Sequence, residues 1–451
     1  MGFLGGVLVA CASDSLTPLD RAAQSPPVLR IYWNQGFYPE EDEALEQVVT
    51  EWETENDIQV ELSLYSSDDI LNQTAIALES GAPPDIVFAH RADYTLEPRW
   101  AWEGKLADVS DVIEPVKDLY SPTALEAAYL YNQAENKRSY YGVPIEQQTI
   151  HIHYWRDLLA QAGLDEAEIP NDLDGFWAFW KQAQDKLRQN EAVEIYGLGL
   201  PLSIQASDTY YQFEQILDAY DIELLDEKGQ LQLNDPQVRQ GLIAVLDWIT
   251  QFYRDGYVPA DAMNWLDPDN NVSFLNRNTL MTPNPSLSIP ASQRDDDDLY
   301  LKQIATREFP HEPDGEPVSH LVTIKQALIF AEAQNIQAAK DFLAYLVQPE
   351  RLGIYVKGSL GRWFPVMPSL LEDAFWQDSK DPHVSVAVQQ FQQRPTRPFY
   401  HALNPAYAQV QAENIWGQAI ASVIATGVSP EAAVDQAIAD IQGIFVEWES
   451  E

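Results

Sequence analysis

Over residues 29–89 the hydrophobic period switches repeatedly between that of a strand and that of a helix, which leaves few folds open. Leu29-Arg30-Ile31-Tyr32-Trp33 reads as a buried strand. Leu45, Val48, Val49 and Trp52 then recur at i, i+3, i+4 and i+7, the stripe of an amphipathic helix. Ile58, Val60, Leu62 and Leu64 alternate as a second strand. Asp68 and Asp69 open a second helix carrying Ile70, Leu71, Thr74 and Leu78, which stops at Gly81. Asp85-Ile86-Val87-Phe88-Ala89 is a third strand. The order is βαβαβ, and right-handed crossovers make such strands parallel. Ligands bind open parallel sheets beyond the carboxyl ends of the strands. Here those ends are Trp33-Asn34-Gln35, Tyr65-Ser66-Ser67 and His90-Arg91, which the topology brings to one edge.

Several functions are excluded by what this edge and the rest of the chain contain. No Gly-x-Gly-x-x-Gly follows the first strand. The first helix opens with Glu40-Glu41-Asp42-Glu43, which suits the helix dipole but would repel a pyrophosphate. The balance of 70 acidic against 27 basic residues, a net charge of −43, is the wrong field for nucleic acid. The acids are spread over the whole length, so they read as an acidic surface suited to saline surroundings. His311-Glu312-Pro313-Asp314-Gly315 starts like a zinc-protease motif, but Gly315 stands where a second histidine is needed. Asp267-Pro268-Asp269-Asn270-Asn271 imitates a calcium loop, yet Val272 replaces the required glycine and Asn278 the closing glutamate. His151 and His153 share one face of a strand without a third ligand nearby, and Asp295 to Asp298 read as a solvated loop. No metal or other cofactor is expected. With 70 acids a carboxylate pair at glycosidase spacing stays open.

Cys11 is the one cysteine, so there is no disulfide framework and no cysteine metal site. It follows Gly5-Gly6-Val7-Leu8-Val9-Ala10, and Leu8-Val9-Ala10-Cys11 resembles the cleavage box of a bacterial lipoprotein. A leader also has a positively charged start, whereas the first basic residue here is Arg21. The reading adopted is a truncated lipoprotein signal over residues 1–11, lipidation of Cys11, and a flexible tether over residues 12–27. The other reading is a small cysteine near a frayed terminus.

An ordered series of segments resembles the extracellular solute-binding proteins of ABC importers, in the carbohydrate branch that includes maltose-binding protein. Leu78-Glu79-Ser80-Gly81-Ala82-Pro83-Pro84-Asp85-Ile86-Val87 is similar to the family's Gly-x-x-Pro-Asp-hydrophobic segment. Tyr141-Gly142-Val143-Pro144, His153-Tyr154-Trp155-Arg156-Asp157-Leu158-Leu159 and Ala162-Gly163-Leu164 are similar to its hinge crossing and following helix. Asp255-Gly256-Tyr257-Val258, Phe274-Leu275-Asn276-Arg277, Ala338-Ala339-Lys340-Asp341-Phe342-Leu343, Gly361-Arg362-Trp363-Phe364-Pro365 and Ser429-Pro430-Glu431-Ala432-Ala433 follow in the family's order. The chain departs from the family at Arg277-Asn278-Thr279, where a Gly-Lys is usual, and at Asn284-Pro285-Ser286-Leu287, where a tryptophan is usual.

The resemblance implies an α/β, two-lobe periplasmic-binding-protein fold with three hinge crossings and a cleft between the lobes. Crossings are expected near 144–146, 281–284 and 319–323. Residues 28–144 and 284–319 then form the N-terminal lobe, and residues 147–281 and 323–451 the C-terminal lobe. It also implies a monomer that captures a sugar or other polyhydroxylated solute by hinge closure, for an ABC permease. Such a protein would be extracytoplasmic, tied to the membrane only through lipid, and not an enzyme. A polyamine or glycerol phosphate ligand and an extracytoplasmic glycoside hydrolase are the alternatives.

Sugar binding needs aromatic plates for C–H faces and fixed polar groups for hydroxyls. Arg362 and Trp363, in a loop between a helix and a proline, are the leading candidates. Trp33, Asn34 and Gln35 close the first strand, with a core role for Trp33 as the plain reading. His90 and Arg91 balance a ligand contact against a surface turn, and Glu146 and Gln147 balance the cleft against hinge packing. Gln205, Asp208, Tyr210 and Tyr211 fall where a second-lobe aromatic is expected. Adjacent tyrosines on a helix point to different faces, so one plate is expected of the pair. Trp265 and Tyr407 follow as weaker candidates, and Trp248 reads as core.

Overall fold

The computed structural model describes Met1 and residues 28–190 and 194–450. Cys11 and the expected tether lie outside the described residues. The strands in chain order are β1 (Val28–Asn34), β2 (Gln59–Tyr65), β3 (Ile86–Phe88), β4 (Tyr129–Asn132), β5 (Lys137–Tyr140), β6 (Val143–Thr149) and β7 (His151–Trp155). They continue with β8 (Tyr196–Leu198), β9 (Thr279–Asn284), β10 (Ile304–Glu308), β11 (His320–Ile329), β12 (Phe364–Pro365) and β13 (Thr396–Pro398). Two sheets dominate. The first runs β12-β6-β11-β3-β1-β2 with β13 on β11, and the second runs β10-β7-β9-β8. The β4–β5 hairpin stands apart.

The N-terminal βαβαβ unit forms as its periodicity requires. β1 pairs parallel with β2 and β3, Ile31 lying opposite Leu62 and Ile86. Helix Pro39–Asn56 buries Leu45, Val48, Val49 and Trp52 on that sheet. Helix Asp69–Glu79 ends before Gly81, whose φ of +70° carries the turn without steric cost. The Asp of the Gly-x-x-Pro-Asp segment has a structural task. Buried Asp85 accepts from the backbone N–H groups of Arg30 and Asn335 at 2.9 and 2.8 Å, fixing the start of β3.

The division of the chain between lobes differs from the expectation. The first crossing lies at Ile150, between β6 of one sheet and β7 of the other, whereas 144–146 stay within β6 and pair with β11. The segment 281–284 makes no crossing, because β9 stays in the second sheet and is followed there by β10. β10 zips antiparallel onto β7, Ile304 opposite Trp155 and Thr306 opposite His153, so 284–319 belongs mainly to the second lobe. The chain then returns at β11, and residues up to Pro398 complete the first lobe. Phe342, Leu346, Leu352 and Val356 pack in one apolar cluster with Leu29 and Ile31 of β1. Only after β13 does the chain go back, and helices Ile415–Thr426 and Pro430–Ser450 close the second core with Ile420, Val434 and Ile441. The sequence segments were right as elements. Their lobe assignment failed because the pairing of β10 and β11 is set by long-range partners.

Where β7 and β11 leave the two sheets, the crossing is filled by buried polar groups. His151 Nδ1 meets Gln390 Oε1 at 2.9 Å, and Gln390 Nε2 donates to His320 Nδ1 at 3.0 Å. His153 Nδ1 meets Thr306 Oγ1 at 2.9 Å, and the same hydroxyl meets His383 Nδ1 at 2.6 Å. Burial holds these imidazoles neutral, lowering His151 to about 3 and His320 and His383 to about 4. No group of side chains with metal-ligand chemistry occurs among the described residues, and none of their helices is long and apolar enough to cross a membrane.

Candidate functional site: the interlobe cleft

The carboxyl ends of β1, β2 and β3 converge on the second lobe, as the parallel topology demands. Asn34 ties the three ends together. Its Oδ1 accepts from Ser67 Oγ at 3.1 Å and from the backbone N–H of His90 at 3.4 Å. Gln35 is exposed beside it.

Trp33 is not at this surface. Its ring is 1% exposed, stacks on Phe88 at 4.2 Å, and its N–H donates to Tyr355 Oη at 3.0 Å. Period-2 alternation points it into the first core, where it joins Leu29 and Ile31. Gln147 is also structural, donating through Nε2 to the Pro365 carbonyl at 2.7 Å to hold β12 on β6. Trp265 and Tyr407 sit in the second apolar core, the Tyr407 hydroxyl donating to Glu214 at 3.0 Å.

Trp363 has a different character. It is 2% exposed, yet it belongs to none of the apolar clusters among the described residues. Its neighbours are polar: the His90 ring at 4.6 Å, the Lys325 ammonium at 5.9 Å and the Arg362 guanidinium at 5.1 Å. Its indole N–H is buried without a hydrogen-bond partner among the described residues, as are the Tyr38 and Tyr210 hydroxyls and Arg362 Nε. A buried donor left unpaired costs about 1–3 kcal/mol, so such atoms mark where a polar ligand would bond.

Beneath this plate lies a polar floor. His90 Nε2 meets Glu146 Oε1 at 3.0 Å. Burial, helped by the Arg362 and Lys325 cations, pushes the imidazole well below its usual pKa. Burial and the Glu41 carboxylate push Glu146 well up. Both shifts favour the uncharged forms of the two partners. Lys325 extends from the middle of β11 to the His90 carbonyl at 2.5 Å and to Asp93 Oδ2 at 3.0 Å, a fully buried ion pair. On the first-lobe rim, Arg362 lies over the Phe37 ring at 5.0 Å and 3.8 Å from Glu41. Glu41 in turn accepts from the Phe37 and Tyr38 backbone N–H groups at 3.1 and 3.3 Å, fixing the loop that carries Tyr38. Burial raises the Tyr38 hydroxyl to about 12, so it stays a protonated donor.

The second lobe meets this face through helix Ser207–Ala219 and the loop after Trp265. Both Tyr210 and Tyr211 approach Tyr94 of the first lobe, at 5.7 and 6.3 Å between ring centroids. The Tyr210 and Tyr211 rings lie 4.6 Å apart, so Tyr94 packs against the pair as a unit. Asp208 is buried at the head of this helix and accepts from Asn270 Nδ2 at 3.3 Å. Burial and nearby Asp267 push its carboxyl well up. Arg91 bridges the lobes, donating to Asp68 at 2.9 Å and to Asp267 at 3.0 Å. Asp267 is anchored by the Ser207 N–H at 2.6 Å. Arg294 reaches from the second lobe to the Leu360 carbonyl of the first.

Sequence reasoning thus placed Asn34, His90, Arg91, Glu146, Asp208, Tyr210, Tyr211, Arg362 and Trp363 around one cleft, with Gln35 at its exposed rim. It missed Tyr38, Asp93, Tyr94, Asp267, Arg294 and Lys325. A signal existed for one of them, since Lys325 interrupts a ten-residue strand buried at every position, and buried lysines are rare unless paired.

Comparisons with known proteins agree with this architecture. The family model for bacterial extracellular solute-binding proteins matches residues 47–385. YcjN of Escherichia coli K12, which carries the provisional name of an ABC transporter periplasmic-binding protein, is 22% identical over 353 residues, covering 77% of this chain and 75% of that protein. The multiple sugar-binding protein of Streptococcus mutans is 21% identical over 372 residues, covering 79% of each. A solute-binding protein of an ABC transporter from Thermotoga lettingae, solved with α-D-tagatose, superposes with a TM-score of 0.72 at 18% identity, over 93% of this chain and 99% of that one. With three quarters of its length matched and two lobes closing on a polar, aromatic cleft, the chain belongs to the bacterial extracellular solute-binding protein family.

Proposed function

We propose that the interlobe cleft captures a sugar and delivers it to an ABC permease by hinge closure. The observation that carries this reading is Trp363, an aromatic face with a polar neighbourhood and an unpaired N–H. The Tyr38 and Tyr210 hydroxyls are likewise buried without a partner among the described residues. A pyranose presents C–H patches to such a face and hydroxyls to such donors and acceptors. Burial favours the uncharged forms of His90 and Glu146, and Lys325 is already matched by Asp93, so the floor offers hydrogen bonds with little net charge. That favours a neutral solute over a sugar phosphate or a polyamine. The name of the S. mutans relative and the tagatose bound to the T. lettingae protein point the same way.

Closure follows from the contacts. Tyr210, Tyr211 and Asp208 lie on the second lobe, so they add interactions only when the lobes meet, and that difference shifts the population toward the closed form. Lipid on Cys11 would hold this monomer beside its permease, on the outer side of the membrane. A single acyl chain anchors only marginally, so permease contact would supply the rest.

A thermal-shift screen against mono- and oligosaccharides, polyols, sugar phosphates and polyamines tests the reading. A sugar at about a thousand times its Kd adds about 4 kcal/mol of stability, and it should be recovered intact. A shift only with charged solutes, or a cleaved sugar, overturns it.

A further inference from the structure

A second cavity lies on the second lobe, far from the cleft. Along helix Pro236–Arg254, Val238, Gly241, Val245 and Trp248 succeed one another at three- and four-residue steps, so they share one face. Ile222 packs directly on Gly241, and the short side chain of exposed Ala244 lines the space beside them. The result is a cavity of about 540 Å³, walled by Trp248 and Tyr220. The two rings stand nearly perpendicular, 6.4 Å apart at 82°. Trp248, which reads as core in the sequence, is only half-buried.

The polar groups in this wall have one sign. Asp174, Asp221 and Asp235 line the cavity, and no basic side chain does among the described residues. Asp174 accepts from the Tyr220 hydroxyl at 2.7 Å, which fixes the ring against the opening. Asp235 caps the helix through the Gln237 N–H at 2.7 Å. Asp221 is exposed and makes no such cap. Tyr220 and Asp208 sit at opposite ends of helix Ser207–Ala219, about 18 Å apart at the helical rise, so this cavity and the cleft are separate sites.

Aromatic faces and carboxylates attract the same ligand class. The ring quadrupole draws a cation worth about 0.5–2 kcal/mol, and the carboxylates add an unopposed field of the same preference. We propose that this cavity is a second binding site, taking a small organic cation with an apolar body, its ammonium head set between Trp248, Tyr220 and Asp221. It is independent of the sugar site and does not rest on that reading.

The test is calorimetry and ligand-observed NMR on the whole protein, with choline as the probe and its neutral carbon isostere, 3,3-dimethylbutan-1-ol, as the control. Choline should bind at millimolar concentration and the isostere markedly less. Asp221 stands at a φ of +55°, which asparagine also tolerates, so Asp221→Asn keeps the backbone conformation and should weaken choline about two- to fivefold. Ala244→Phe, at an exposed helical position, should fill the cavity and abolish choline binding while leaving sugar binding unchanged. Trp363→Ala should leave choline binding intact. Equal binding of the isostere, no binding of choline, choline binding that persists in Ala244→Phe, or its loss in Trp363→Ala would each overturn the proposal.

Discussion

Two tryptophans buried to nearly the same degree should fail in opposite ways when truncated. Trp33 is 1% exposed and Trp363 2%. Trp33→Ala removes a ring stacked on Phe88 at 4.2 Å inside an apolar cluster, a truncation that costs about 3–5 kcal/mol. It also strips the Tyr355 hydroxyl of its 3.0 Å donor, which places the loss toward the upper end. Trp363→Ala leaves no apolar cluster damaged and forfeits two cation–π contacts, about 1–2 kcal/mol of stability. Its effect on the solute is larger. An aromatic plate contributes about 0.5–1.5 kcal/mol beyond area burial, and a hydrogen bond from the indole N–H about as much again. Together these predict a Kd raised about 5- to 150-fold. Urea unfolding of both variants, with calorimetry of the sugar found in the screen, separates the two effects. The reasoning is refuted if Trp33→Ala weakens binding at unchanged stability, or if Trp363→Ala binds like the wild type.

Other perturbations follow from the same geometry. The Arg91–Asp267 bridge joins the lobes but is partly exposed, so Arg91→Met should weaken solute binding only a few-fold, about 0.3–1 kcal/mol. That deficit should vanish at high salt, as titrations at low and high ionic strength would show. Arg397→Met breaks a bidentate pair to Asp218 that joins the two lobes at 2.9 Å on one arm. Because it leaves a buried carboxylate uncompensated, unfolding titrations should show a loss of about 3–5 kcal/mol. The hinge histidines predict acid sensitivity. Their folded pKa values are depressed, His320 and His383 to about 4, so the unfolded chain binds more protons as pH falls below about 6.5. Stability is full above that pH and declines toward pH 4, each such histidine contributing up to about 3 kcal/mol of loss. His383→Gln should flatten this slope between pH 6.5 and 4 in unfolding titrations, and an unchanged slope would show that carboxylates alone set it.

What could be read from the sequence was local. The βαβαβ unit follows from side-chain periods alone, and the cleft edge follows from parallel topology. Trp363 stands out in the sequence because a loop tryptophan beside an arginine has no helical or strand stripe to complete, and its polar surroundings in the structure match that position. Trp33 misled for the complementary reason. It ends a strand at the ligand edge, but its position in the alternation turns it inward, and the partner that holds it, Tyr355, is 322 positions away. The lobe boundaries were missed on the same ground, since nothing near 304–308 announces a partner at 151–155. Lys325 and Asp93 were silent individually, and only their pairing across 232 positions gives either a meaning.

The back-and-forth path of the chain between its two sheets also dictates when the molecule can come into being. β11 lies between β6 and β3, so β1, β2, β3 and β6 lack their central partner until residue 329 has been made. The second lobe waits longer still, because Val434 and Ile441 of the last helix complete its core. Contacts spanning hundreds of positions fold slowly. A nascent chain emerging from the ribosome therefore holds open sheet edges for most of its synthesis, and such edges invite pairing with other chains. Neither lobe can be harvested by cutting the chain once, and any shortening of the last helix should cost yield before it costs affinity.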